Sequence, residues 1–170
     1  LFRIDALEFF GKVNYLKAGL VFCDLINTVS RKYSQEIQTE EFGHGLDGLL
    51  RGRAKDVHGI LNGIDDDEWH PAHDPLIAAR FSKKDLAGKA ACKADLQRHF
   101  GLPARPDVPL LAIISRLAVQ KGLDLVAETL DEILALDAQF VLLGNGEPEL
   151  HEAFEAAKAR HPSRIGLTLG

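Results

Sequence analysis

The last third of the chain alternates two hydrophobic periods, and that alternation limits the available folds more than any other feature. Residues 110–115, "LLAIIS", form a short continuous apolar run that reads as a buried strand. In the next segment the apolar residues recur at helical spacing, with Leu123, Val126, Ala127, Leu130, Ile133 and Leu134 on one face. "AQFVLLGNG" supplies a second strand. Pro148 then opens a helix, at the one position where a missing N–H does no harm. Leu150, Ala153, Phe154 and Ala157 form its apolar stripe. Lys158, Arg160 and His161 stand at its carboxyl end, where the helix dipole favours cations, and Pro162 follows. "RIGLTLG" begins a third strand. Strand, helix, strand, helix, strand with short links predicts an α/β fold with a parallel sheet and right-handed crossovers.

Upstream, "NYLKAGLVFCDLINTVSRKYSQEI" reads as helix, strand, helix. Leu16, Leu20 and Val21 share a helical face, residues 26–29 are the strand, and Ser30 is placed to cap the helix that follows. "GLDGLLRGRAKDVHGILNGID" gives a short helix and a short strand near 57–61, with Asn62-Gly63 as a turn signal. "DDDEWHPAHDP" is a polar break with two prolines. We read it as the crossing between two lobes, 1–64 and 65–170, with Trp69 anchoring the hinge. Four adjacent acids there lack calcium-loop spacing and suit a solvated hinge better than a metal site. A helix over 85–100 ends on Gly101 as a left-handed cap, and "LPARPDVP" is a stiff connector.

Composition excludes some functions. With 46% hydrophobic and 26% charged residues the chain is an ordinary globular sequence. It has no apolar run near the roughly 20 residues of a membrane-spanning helix. A net charge of -5 argues against a non-specific nucleic-acid binder. Cys23 and Cys92 lack metal or redox spacing and suit free, buried thiols, and the seven histidines show no ligand pattern. The sequence contains no methionine, starts on Leu1 and stops on Gly170, which leads us to expect a piece of a longer protein.

Chemistry centres on "SRLAVQKGLDL". Ligands of open parallel sheets bind beyond the carboxyl ends of the strands. Arg116 follows the apolar run and Lys121 opens the next helix, so both are expected to face that crevice. An anion there meets free N–H groups, a helix dipole, a bidentate arginine and a lysine point charge. Alternatively, both are solvated surface residues. "GNGEP" at 144–148 is better explained by a tight strand-to-helix turn than by ligand contact.

These residues also carry a family likeness. "SRLAVQKGLDL" resembles the S-R-L-x-x-Q-K-G-L-D-L motif of bacterial glycogen synthases and plastid starch synthases. "NYLKAGLVFCDLINTVS", "EIQTEEFGHGLDGLLR", "ILNGIDDDEWHP" and "DLAGKAACKADLQRHFGL" resemble that family in its order and spacing. The resemblance implies the two-lobed GT-B fold, of which 1–64 would end the N-terminal, acceptor-side Rossmann-like domain and 65–170 begin the nucleotide-sugar domain. It implies retaining transfer of glucose from ADP-glucose to an α-1,4-glucan, glycogen or starch, without a cofactor or metal. A bacterial cytoplasm or a plastid is the implied compartment, with no membrane or nucleic-acid partner. Arg116 and Lys121 match the positions that neutralise the donor phosphates. Asn62 matches a substrate-facing asparagine, or is simply a turn residue. Gly170 matches the glycine opening the nucleoside loop.

The family's K-x-G-G-L loop and E-P-C-G-L stretch are not in these 170 residues, so we expect this stretch alone to be inactive. His44 and Asp66 also depart from the family's usual residues. Competing readings are another retaining GT-B transferase, such as a sucrose synthase or sucrose-phosphate synthase, and a non-catalytic nucleotide- or glucan-binding module.

Overall fold

A computed structural model describes residues 1–170, which divide into two units, Leu1–Asp65 and Asp66–Gly170. In the first, β1 (Glu8–Phe9) and β2 (Lys12–Val13) pair antiparallel across Phe10-Gly11. Both turn residues have positive φ, 50° and 78°, as a tight two-residue hairpin requires. Asn14 caps α1 (Tyr15–Phe22) by accepting the Lys17 N–H at 2.9 Å. The Lys17 ammonium donates to the carbonyls of Ile4 (2.5 Å) and Glu8 (2.6 Å), tying hairpin to helix.

β3 (Ile26–Thr28) leads to α2 (Arg31–Glu36), where the Ser30 hydroxyl accepts the Tyr33 N–H as expected. α3 (Asp47–Gly52) follows, and β4 (Val57–Gly59) pairs parallel with β3. Ile26, Leu46 and Leu50 form the buried core. Leu20 packs against it, whereas Leu16 is 65% exposed and leaves the expected face. The Arg53 guanidinium donates to the carbonyls of Leu20 (2.7 Å) and Asp24 (2.9 Å) and to the Asp56 carboxylate, joining the end of α1 to the entry of β4. Asn62 and Gly63 do not form the expected turn, and Gly63 has no positive φ. The reason is topological: β4 already pairs with an earlier parallel strand, so no reversal is needed after it.

In the second unit Trp69 is 71% exposed and anchors nothing. α4 (Gly88–His99) starts three residues later than its periodicity suggests. Asp85 accepts the Ala87 N–H and Ser82 accepts those of Lys84 and Asp85, an alternative to helix for that stretch. Gly101, with φ of 67°, closes the helix end. β5 (Leu110–Ile114), α5 (Leu123–Ala135), β6 (Gln139–Gly144), α6 (Pro148–Arg160) and β7 (Ile165–Leu169) complete the unit. The sheet is parallel, in the order β5-β6-β7, with Leu111 opposite Phe140 and Phe140 opposite Ile165.

Leu123, Leu130 and Leu134 of α5 and Leu150, Phe154 and Ala157 of α6 pack with Phe140, Leu142 and Ile165 in one core. Ala153, expected in that stripe, is exposed. β6 is central and buried. β5 lies at the edge of the three strands these 170 residues supply, and within them its apolar run is only partly covered: Leu111 is 41% and Ile114 81% exposed. α4 docks through a buried amide pair, Gln97 Nε2 donating to Gln139 Oε1 at 2.6 Å. Gln139 Nε2 in turn donates to the Pro103 carbonyl in the proline connector. Both cysteines are free but only half-buried. No helix is long and apolar enough to cross a membrane.

Candidate functional site

Beyond the carboxyl ends of β5 and β6 the two chain segments stay zipped together. The Ser115 N–H donates to Leu143 O at 3.1 Å, Leu117 N–H to Asn145 O at 2.8 Å, and Glu147 N–H to Leu117 O at 2.8 Å. Leu117 and Gly146 form a parallel bridge outside the sheet proper. The Leu117 side chain is fully buried in the core. In extended backbone neighbouring side chains point to opposite faces, so burying Leu117 sends Arg116 outward. The glycines of "GNG" permit this fit. A Cβ on Gly144 would overlap the Ser115 carbonyl, and one on Gly146 the Leu117 carbonyl.

An open depression of about 540 Å³ lies over this junction, lined by Arg116, Leu117, Ala118, Val119, Gln120, Gly146 and Glu147. The Arg116 side chain is exposed and makes no hydrogen bond or ion pair, leaving its five donors unused. Lys121 is equally unpaired but does not open the long helix as expected. It ends a 3-10 turn over Val119–Lys121, and Gly122, at φ of 68°, separates that turn from α5. A left-handed residue breaks helical continuity, and glycine adopts it without strain.

α5 and α6 both start without a side-chain cap on their first N–H groups. Three residues past Lys121, Asp124 Oδ1 is buried without a hydrogen-bond partner. Shifted acidities do not mark this depression. Arg105 holds the Asp137 carboxyl below its ordinary range, and His161 with Arg160 does the same for Asp131; none of them lines it. No group of three or more His, Cys, Asp or Glu side chains is arranged to hold a metal.

Known proteins match this chain along its length. The starch synthase catalytic domain family matches residues 1–52. A glycogen synthase of Anaeromyxobacter sp. (strain Fw109-5) is 59% identical over 170 residues, all of this chain and 36% of that protein. Glycogen synthase 1 of Geobacter metallireducens is 52% identical over 169 residues, 99% of this chain and 34% of that protein. The solved catalytic domain of starch synthase IV from Arabidopsis thaliana, bound to ADP and acarbose, superposes with a TM-score of 0.90 at 38% identity, covering 100% of this chain and 36% of that one.

Over its whole length the chain is similar to glycogen and starch synthases.

Its parallel sheets are those of a GT-B catalytic domain, and it spans 36% of the length of the Anaeromyxobacter synthase. Within the chain the candidate residues are dispersed. Arg116 lines the depression; Lys121 lies one residue past Gln120 at its border. Gly170 follows β7, its N–H donating to Gly144 O at 3.4 Å. A Cβ at Gly170 would meet open space. Asn62 is an exposed residue of the first unit.

Two residues of the depression escaped sequence reading as site residues. Glu147 puts a carboxylate into its lining, and Gly146 forms part of its floor. Their signal was present in "GNGEP", but a strand-to-helix turn explains that string equally well until its contact with Leu117 is seen.

Proposed function

We propose that the protein carrying these residues is an ADP-glucose-dependent glycogen or starch synthase, transferring glucose to the non-reducing end of an α-1,4-glucan with retention. The observation that carries this reading is an unpaired arginine at the carboxyl end of a parallel strand, in a chain 59% identical to a glycogen synthase. The starch synthase IV neighbour, bound to ADP and acarbose, supports a nucleotide-sugar donor and a glucan acceptor. In this reading the first unit belongs to the acceptor-side domain and the second to the nucleotide-sugar domain. Asn62 contacts substrate, Gly170 opens the nucleoside loop, and the compartment is the bacterial cytoplasm.

The chemistry follows from charge. As the bond from the sugar's anomeric carbon to the phosphate oxygen breaks, negative charge grows on the leaving ADP. Arg116 offers that diphosphate a planar fork and Lys121 a point charge, both fixed before the reaction, in place of a metal ion. The leaving phosphate then accepts the proton of the attacking glucan hydroxyl, on the same face, which preserves the anomeric configuration.

The test is Arg116→Ala and Lys121→Ala in the full-length gene product, with glucose incorporation from ADP-glucose measured at saturating glycogen. Turnover should fall about 10²–10³-fold for Arg116→Ala, the usual effect of removing one preorganised donor. The thermal midpoint should stay in place, because the exposed Arg116 side chain makes no hydrogen bond or ion pair. Unchanged kinetics in both variants would remove these side chains from the mechanism.

A further inference from the structure

We infer that the loop 144–147 is a positioning element for Arg116, with Gly146 setting its register and His151 anchoring it from α6. The inference rests on Arg116 gripping the donor phosphates and adds residues that touch no ligand. Because the Arg116 side chain has no partner, its location is set by its backbone alone. That backbone is fixed one residue on: both polar groups of Leu117 are bonded to this loop, its N–H to Asn145 O and its carbonyl to the Glu147 N–H. The bonds form only because Gly146 lies flat against the Leu117 peptide, where a Cβ would collide with Leu117 N, C and O.

The Gly146 peptide is itself oriented from two sides. Its N–H donates to Asn145 Oδ1 at 2.7 Å and to His151 Nε2 at 3.1 Å, and His151 sits in the first turn of α6. Nε2 accepts this bond through its ring lone pair. α6 is seated in the core by Leu150 and Phe154. A connected path therefore runs from that core through His151, Gly146 and Leu117 to the base of Arg116. Lys121 stands outside it: its N–H bonds to Ala118 O within its own 3-10 turn. Displacing a charged group by about 1 Å from its productive place can cost on the order of 10²-fold in rate.

Double-mutant cycles in the full-length gene product test this, with kcat and KM for ADP-glucose and thermal midpoints measured for every variant. Gly146→Ala should lower kcat/KM by roughly 10–100-fold in the wild-type background and by less than about threefold when Arg116→Ala is already present. Combined with Lys121→Ala, its effect should simply multiply. His151→Leu should show a smaller loss with the same coupling to Arg116. His151→Gln should recover most of it, because the amide oxygen can accept the Gly146 N–H. If Gly146→Ala unfolds the protein, the His151 cycle decides alone. A Gly146 or His151 effect that persists undiminished beside Arg116→Ala overturns the inference and leaves the donor grip standing. An Arg116→Ala variant with normal kinetics overturns both.

Discussion

The two units of this chain are held together differently. The second has a ten-residue buried core spread over two strands, two helices and Leu117 beyond the end of β5. The first has three buried core residues and a parallel pair only three residues long, and parallel pairs are ordinarily covered on both faces. Its cohesion leans on long cationic side chains bonded to main-chain carbonyls, Lys17 under the hairpin and Arg53 between α1 and β4. Where apolar burial is scarce, directional bonds from lysine and arginine fix the geometry. The second unit has such bonds too, from Lys93 to the carbonyls of Pro106 and Val108 and from Arg164 to that of Leu134, but there they supplement a large apolar core, and the Arg116 side chain makes none.

The sharpest way to break this contrast is hydrogen exchange on the 170-residue chain. Amides of β6 should exchange roughly 100-fold or more slowly than those of β3 and β4, since protection follows local burial. Equal protection in the two sheets would refute it. Phe154→Ala, at a fully buried site, should destabilise the second unit by about 3–5 kcal/mol in urea unfolding. Leu50→Ala should cost the first unit only about 2 kcal/mol, the low end for a buried leucine, because fewer neighbours surround it. Arg53→Lys keeps the charge but loses the fork, and should speed exchange in α1 and β4 without touching β6.

The smallest effect concerns acid. The Asp137 carboxyl is depressed mainly by its hydrogen bonds to Arg105, so its contribution to stability is present above the unfolded value of about 3.9 and fades as pH falls through the lower folded value. Asp137→Asn should therefore differ from wild type near neutrality and converge with it in acid. The urea midpoint against pH reads this directly.

The sequence foretold the second unit well because its helices and strands satisfy one period each. Phe154 and Leu130 repeat at helical spacing, and "QFVL" in the central strand β6 is buried on both faces. Within these 170 residues it misled at Ile114, because an apolar run looks the same in an edge strand as in a central one. Asn62-Gly63 misled for a related reason: the dipeptide marks turns only where the chain must reverse, and whether it must is decided by the partner of β4. Arg116 was legible from its place at a strand end. The part played by Gly146 was not, since a glycine's reason lies in the atoms that press against it, here the Leu117 peptide 29 residues upstream.

The paired glutamines at positions 97 and 139 carry a consequence for how such a protein can drift. Each supplies what the other needs inside a buried seam, so replacing one with leucine strands its mate's amide, whereas exchanging both for hydrocarbon orphans neither side chain and leaves only the part-buried carbonyls of Pro103 and Arg105 to find other donors. Along any lineage descending from this chain, those two sites should change in concert or stay still.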